Sequence, residues 1–256
     1  MTQENKVCLK SEPIRTFTEK GFQPIIELFC GVLDKRELVP LTTLEGKSVQ
    51  AFLDGIEHPP FMFGFGKVYK MEKCEKVTLS NFIMMDRILA CAVTIIPADD
   101  YELPMLVLEW SETEKVISVL VDFIPAVDLV MHEGYREKYL DPLNDFWMKY
   151  KDLPGMGPNR FSWSRQLMSP YYLCGHISKE SEQNKKTCME IFKDYLECWI
   201  RLWQDAKPVG DINLKQKFNE RRSTIRKIFR DNDEGAKTMT QIIGKEKVDM
   251  ILLCNF

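Results

Sequence analysis

The sequence predicts an α/β fold: an α/β/α sandwich whose central antiparallel sheet is flanked by N- and C-terminal helices. Three observations lead there. Five strand-like runs follow one another between Gly66 and Ile124 with short polar connections. Apolar residues at helical spacing mark the segments before and after them. The 256 residues, 45% hydrophobic with 13 glycines and 13 prolines, carry no internal repeat and no shift of composition. One domain over 1–256, with the sheet packed between helices, is the natural arrangement.

Residues 1–20 read as irregular. Gly21, Phe22, Gln23 and Pro24 then open an amphipathic helix, with Pro24 near its first turn. Ile25, Ile26, Phe29, Val32 and Leu33 give its apolar stripe, and its end is expected near Asp34 and Lys35. Residues 47–64, with two glycines around a His-Pro-Pro, read as loop with one short helical turn. Strands are expected over 67–71, 75–79, 87–96, 105–111 and 115–124. The link from Ser111 to Glu114 is short enough for a hairpin, so the five form a meander.

The remainder is mostly helical. A helix over 135–151 contains Asp141-Pro142, 154–158 is a loop, and 160–177 is mixed. The helix over 186–204 has Cys188, Phe192, Tyr195, Leu196, Trp199 and Trp203 at helical spacing, a stripe best read as core. A basic helix follows over 215–231, and a last helix over 238–253 is broken at Gly244.

Composition excludes several classes. The net charge of −3 does not favour nucleic acid, and no apolar run reaches the length of a membrane span. Residues 1–13 include acidic groups and no apolar core, so neither a secretory signal nor a convincing transit peptide is read there. A cytoplasmic protein is expected, or one of the plastid stroma if a transit peptide has been removed. The eight cysteines form no CxxC pair and are expected as free thiols. His58, His132 and His176 show no metal-ligand spacing. GxGxxG after a strand, GxxxxGK[ST], HExxH and GxSxG are all missing. Chemistry here would rest on acids, bases and a ligand's own electronics.

One residue stands out against the apolar strands. Glu109 interrupts Met105-Leu106-Val107-Leu108 before Trp110, and alternation puts it on one face with Met105 and Val107. A carboxylate there is costly if it stays charged without a partner, so it tends to hold its proton at neutral pH and act as a donor. The alternative is a glutamate at a strand edge that points to water.

Ile96-Pro97, Tyr101-Glu102-Leu103-Pro104, Glu109 and Asp122-Phe123-Ile124-Pro125 together resemble the signature of the ferredoxin-dependent bilin reductases. Glu109 replaces the aspartate usual in bilin reductases. With Arg165-Gln166-Leu167-Met168-Ser169-Pro170 and Asp128-Leu129-Val130-Met131-His132, it resembles the red chlorophyll catabolite reductase branch more closely. Asp231-Asn232-Asp233-Glu234, ahead of Ile243-Gly244, is similar to the family's C-terminal acid. The resemblance spans roughly 66–256. One departure is Ala92, where biliverdin-to-phycocyanobilin reductases carry histidine, which bears on regiospecificity.

The resemblance implies reduction of a linear tetrapyrrole, a biliverdin-type bilin or red chlorophyll catabolite, through substrate radical intermediates. It implies no bound cofactor, with reduced ferredoxin as external electron donor and acidic residues supplying protons. Glu109 is then the leading proton donor. Asp233 is the second, although a helix N-cap explains it as well, and Glu234 is its near neighbour. Arg160, Arg165 and Ser169 would hold substrate carboxylates, and Trp163 would stack on a pyrrole ring or belong to the core. Asp122 is a signature position that turn formation also explains. The helix over 215–230 could dock an acidic ferredoxin, or be a solvated face. A non-catalytic tetrapyrrole carrier or sensor is the alternative function, and monomer and homodimer both stay open.

Overall fold

Alternation sorts the side chains of the meander between two faces, and the helices cover each face differently. A computed structural model describes residues 19–33, 36–58, 62–84 and 87–256. The expectations for residues 1–18, and for a helix end at Asp34 and Lys35, lie outside the described residues.

The first helix, α1 (Glu19–Leu33), contains Pro24. Two short strands, β1 (Leu38–Pro40) and β2 (Thr43–Leu44), precede the stretch over 47–64 expected as loop with one helical turn, which holds β3 (Lys47–Ser48), the short helix α2 (Gln50–Asp54) and β4 (Ile56–His58). The meander follows as β5 (Met62–Met71), β6 (Cys74–Met84), β7 (Ile88–Pro97), β8 (Met105–Glu112) and β9 (Val116–Ile124). All five expected strands are present, with bounds that differ by one to several residues.

Beyond the meander, the helix expected over 135–151 is divided. It becomes α3 (Glu133–Tyr139), a 3-10 turn at Asp141–Leu143 and α4 (Asn144–Tyr150). Pro142 lacks the N–H that a continuous helix needs. The mixed stretch yields α5 (Ser162–Arg165) and one further strand, β10 (Leu173–Ser178). Three long segments close the chain: α6 (Glu182–Asp205), α7 (Ile212–Asn232), and the pair α8 (Glu234–Ile243) and α9 (Lys245–Asn255). Gly244 separates the last two with φ 84°, a conformation that favours glycine.

The main sheet runs β1-β5-β6-β7-β8-β9-β10, with β4 also on β5, and every pairing is antiparallel. One face packs on α1 and α6. Leu106, Leu108 and Trp110 of β8 meet Phe192, Tyr195 and Trp199 of α6 in one core. Trp110 and Phe192 rings meet edge to face at 5.7 Å, and Phe123 and Tyr195 at 5.8 Å. Each such side chain, fully buried, contributes about 1.5–3 kcal/mol. The apolar stripe of α6 is thus core, and its indoles are satisfied: Trp199 Nε1 donates to Pro104 O at 2.9 Å and Trp203 Nε1 to Glu72 O at 2.6 Å.

The opposite face is covered by α2, α8, α9 and the second half of α7. Met105 and Val107 point this way, into a cluster with Ile225, Phe229 and Phe256, which is the face foreseen for Glu109. Among the described residues, no helix is long and apolar enough to cross a membrane, and none of the seven described cysteines is in a disulfide.

Candidate active site

The strand register places two rows of side chains side by side on the α8–α9 face. One reads Ser80, Ala92, Glu109, Leu120, Cys174 across β6 to β10; the next reads Phe82, Ala90, Ser111, Ser118, His176. All ten line one cavity of about 570 Å³. The middle of this floor is made of alanine and serine, which are too short to fill the space up to the covering helices. The cavity is therefore a consequence of side-chain size at Ala90, Ala92, Ser111 and Ser118.

Its walls come from three places. Asp233 and Gly235 stand at the start of α8 and Met239 at its middle, and Ile251, Leu252, Asn255 and Phe256 at the end of α9. The loop before α5 supplies Gly157, Pro158, Asn159, Arg160 and Phe161. That loop runs along the free edge of β10: His176 N donates to Gly155 O at 2.8 Å and Gly157 N to Cys174 O at 2.9 Å. The approach requires glycine. A Cβ on Gly155 would lie 2.3 Å from His176 O, and one on Gly175 2.7 Å from Gly155 O.

Glu109 is half-buried and opens into the cavity. It has no hydrogen bond or cation partner among the described residues. Desolvation, followed by the charge of Asp233, pushes its carboxyl up to about 7. At neutral pH a large fraction of it therefore carries a proton.

Asp233 joins α7 to α8. Its side chain caps α8 by accepting from Ala236 N at 2.9 Å, and it lines the cavity at the same time. The two readings of Asp233 are thus compatible in space. Burial raises its pKa, while the N–H groups of Ala236 and Gly235 pull it down.

The other candidates are distributed differently. Arg160 lines the cavity, exposed, with its guanidinium 4.4 Å from the centre of the Phe161 ring. Arg165 does not reach the cavity: its Nη1 donates to Asn159 O at 2.6 Å and so fixes the loop that presents Arg160. Ser169 is also turned away. Its Oγ donates to Asp122 Oδ1 at 2.5 Å and its N to Asp122 Oδ2 at 2.9 Å. Asp122 is fully buried at this contact, and burial raises its carboxyl to about 7. Trp163 packs edge to face on Phe229 at 5.4 Å and stacks on Phe161 at 6.2 Å, a half-buried position behind the wall. Arg165, Ser169 and Trp163 therefore build the wall and do not line the space. Glu234 is exposed at the start of α8 and outside the cavity lining.

Most cations of the basic helix have partners within the fold, while Lys217 and Lys227 stay exposed. Lys215 pairs with Asp100, and Lys227 with Asp231. Arg221 Nε donates to Pro125 O at 3.1 Å. Arg222 is buried on the carbonyls of Ala98, Tyr101 and Leu103. Arg226 bonds Glu75 at 2.9 Å, and Arg230 bonds Glu45 at 2.9 Å. Of its seven cations, Lys217 alone shows no such partner among the described residues.

Among the cavity residues not singled out from the sequence are Ser118, His176 and Asn255. Ser118 Oγ and His176 Nδ1 are 2.7 Å apart as a cross-strand pair. The alternating Leu173–Ser178 run was the available signal for His176.

Residues 66–252 match the family described as ferredoxin-dependent bilin reductase. The chain belongs to that family. Among relatives of this bilin reductase-family chain is the 15,16-dihydrobiliverdin:ferredoxin oxidoreductase of Nostoc punctiforme, 26% identical over 159 residues. That match covers 62% of this chain and 63% of the relative's length. The chain thus spans a little under two thirds of that relative. The fold is similar to that of phytochromobilin synthase from tomato, solved in complex with biliverdin. The TM-score is 0.79 at 19% identity, over 91% of this chain and 83% of the other. The mixed α/β architecture with a large antiparallel sheet is the fold of that enzyme.

Proposed function

We propose that this bilin reductase-family protein reduces a linear tetrapyrrole with electrons from reduced ferredoxin. Glu109 and Asp233 supply the protons. The observation that carries this reading is Glu109: an unpartnered carboxyl, raised to about 7, on the floor of a cavity that a second acid also lines.

Saturating one double bond takes two electrons and two protons. Ferredoxin delivers the electrons one at a time, so each transfer leaves a substrate radical whose added charge a nearby acid can neutralise. A carboxylic acid that is still protonated near pH 7 is matched to that task. Arg160, at the rim, is placed to meet a substrate carboxylate. Glutamate at 109 and the 165–170 motif favour red chlorophyll catabolite as substrate, whereas the two relatives above act on or bind bilins by name. With most of its cations engaged internally, the helix over 215–230 is not proposed as the ferredoxin dock.

The test is anaerobic turnover. The protein is mixed with biliverdin or red chlorophyll catabolite, ferredoxin and a reducing system. Loss of the substrate's long-wavelength band should require all components. Tight binding with a shifted spectrum and no loss under any donor would overturn the enzymatic reading in favour of a carrier or sensor.

A further inference from the structure

The end of α9 is tied to the sheet carbonyl by carbonyl. Lys76 Nζ donates to Leu253 O at 2.5 Å, Thr78 Oγ1 to Cys254 O at 2.6 Å, and Thr94 Oγ1 to Asn255 O at 2.9 Å. Arg226 Nε and Arg230 Nη2 donate to Phe256 O at 2.8 and 2.5 Å. A helix leaves its last carbonyls without partners of its own, and here each of these is met from outside the helix.

This lattice fixes the backbone of Asn255 above Thr94. Thr94 is two residues along β7 from Ala92, and Ala92 pairs with Glu109. Asn255 therefore stands beside the acid corner of the cavity, over the space that the small Ala92 leaves open.

Its side chain is not engaged in the same way. Asn255 lines the cavity, yet its Oδ1 is closed off from solvent and meets no donor. Folded proteins rarely leave a buried acceptor unmet, because the group has lost its water without replacement. The backbone is thus held by the sheet while the amide is left over.

We propose that Asn255 is a substrate-positioning residue, whose amide oxygen turns to accept a ring N–H of the tetrapyrrole and holds that ring over Ala92, beside Glu109. The inference rests on the tetrapyrrole reading above. Its chemistry is complementary to that of the acids. A linear tetrapyrrole presents pyrrole N–H donors. A protonated Glu109 has its own proton to give, and Asp233 already accepts from the start of α8. The amide adds to this corner an acceptor that no donor of the described residues meets.

Biliverdin binding to the full chain tests this, read as Kd and as the absorbance spectrum of the bound pigment. Asn255→Leu keeps the size and removes the acceptor. It should raise Kd about three- to tenfold and shift the bound band, while the melting temperature stays near that of the parent. Asn255→Asp, which keeps an oxygen acceptor, should restore most of the affinity. Should the leucine loosen α9, Asn255→Ser is measured in its place. A folded Asn255→Leu or Asn255→Ser protein with the parent's Kd and spectrum would overturn the assignment. Absence of binding of both biliverdin and red chlorophyll catabolite by the unsubstituted protein would instead overturn the tetrapyrrole reading, and this inference with it.

Discussion

Glu109 and Glu112 sit on the same strand and on opposite faces of the same sheet, and they are treated in opposite ways. On the α6 face Glu112 is buried against Lys179, with Lys185 at 3.6 Å and Trp110 Nε1 at 3.3 Å. On the cavity face Glu109 has none of these, and burial lifts its carboxyl to about 7. Strand and residue type are shared. The partner decides whether a glutamate is a structural anion or an acid with a proton to give. The same division runs through the sheet. Its α6 face is filled by tryptophan, phenylalanine and leucine, and its cavity face is left short by alanine and serine.

The largest effect expected from this difference is on rate. Glu109→Gln should lower the reduction rate by about 10²–10⁴-fold, the usual contribution of a positioned general acid, with no loss of thermal stability. Stopped-flow decay of the substrate band measures it. Glu112→Gln is the counterpart. It should leave the rate intact and cost roughly 1–3 kcal/mol of stability by urea unfolding, because two lysines lose their buried anion. Equal loss of activity in both variants would remove the functional meaning of the two faces.

The second effect is on pH dependence. Glu109 binds its proton up to about 7 in the folded state, against an ordinary value of 4.5. Between those two values the folded chain holds a proton that the unfolded chain has released, so stability falls as pH rises through the window. The contribution of Glu109 is full below about 4.5 and is lost by about 7, a change on the order of 3 kcal/mol. Asp122, raised to about 7 as well, adds a slope of the same sign. The informative quantity is therefore the difference between parent and Glu109→Gln, in which the Glu109 part should vanish. With Glu109 as the proposed donor, the reduction rate should fall as pH rises past about 7, where its carboxyl is increasingly ionised. A rate that increases across that range would assign the protonation step to another group.

These two glutamates also mark how far the sequence could be read. Glu109 was visible because a carboxylate among Met105, Leu106, Val107 and Leu108 breaks a local pattern. The meander, the stop at Gly244 and the apolar stripe of α6 were visible for the same reason: each follows from neighbours in the chain. Contacts that join distant segments were not. Ser169 is taken up by Asp122, and Arg165 by the carbonyl of Asn159, so both support the wall. The cations of α7 find Asp100, Glu75, Glu45 and the carbonyls of Pro125 and Phe256, none of which adjoins them in sequence. β10 was missed because a lone edge strand shows its alternation over only Leu173–Ser178, and its partner is set by β9 and the glycine loop. The amide of Asn255 reaches the cavity only through carbonyl contacts made by β6 and β7.

Asp233 carries the smallest expected effect and the sharpest separation of roles. It resembles Glu109 in facing the cavity and Glu112 in having a structural partner, here the start of α8. Asparagine caps a helix as well as aspartate does, so Asp233→Asn removes the proton and keeps the helix start. Asp233→Ala removes both, and should be less stable than Asp233→Asn by about 1 kcal/mol. If Asp233 supplies the second proton, both variants lose activity together although only the alanine loses stability. If it serves as a cap alone, activity follows stability and Asp233→Asn turns over like the parent wherever Glu109 is protonated. In that case Asp233 would still matter to Glu109, because its charge helps to raise the Glu109 carboxyl. The pH at which the rate falls should then move down in Asp233→Asn, and that displacement would show that the acid acts through its neighbour.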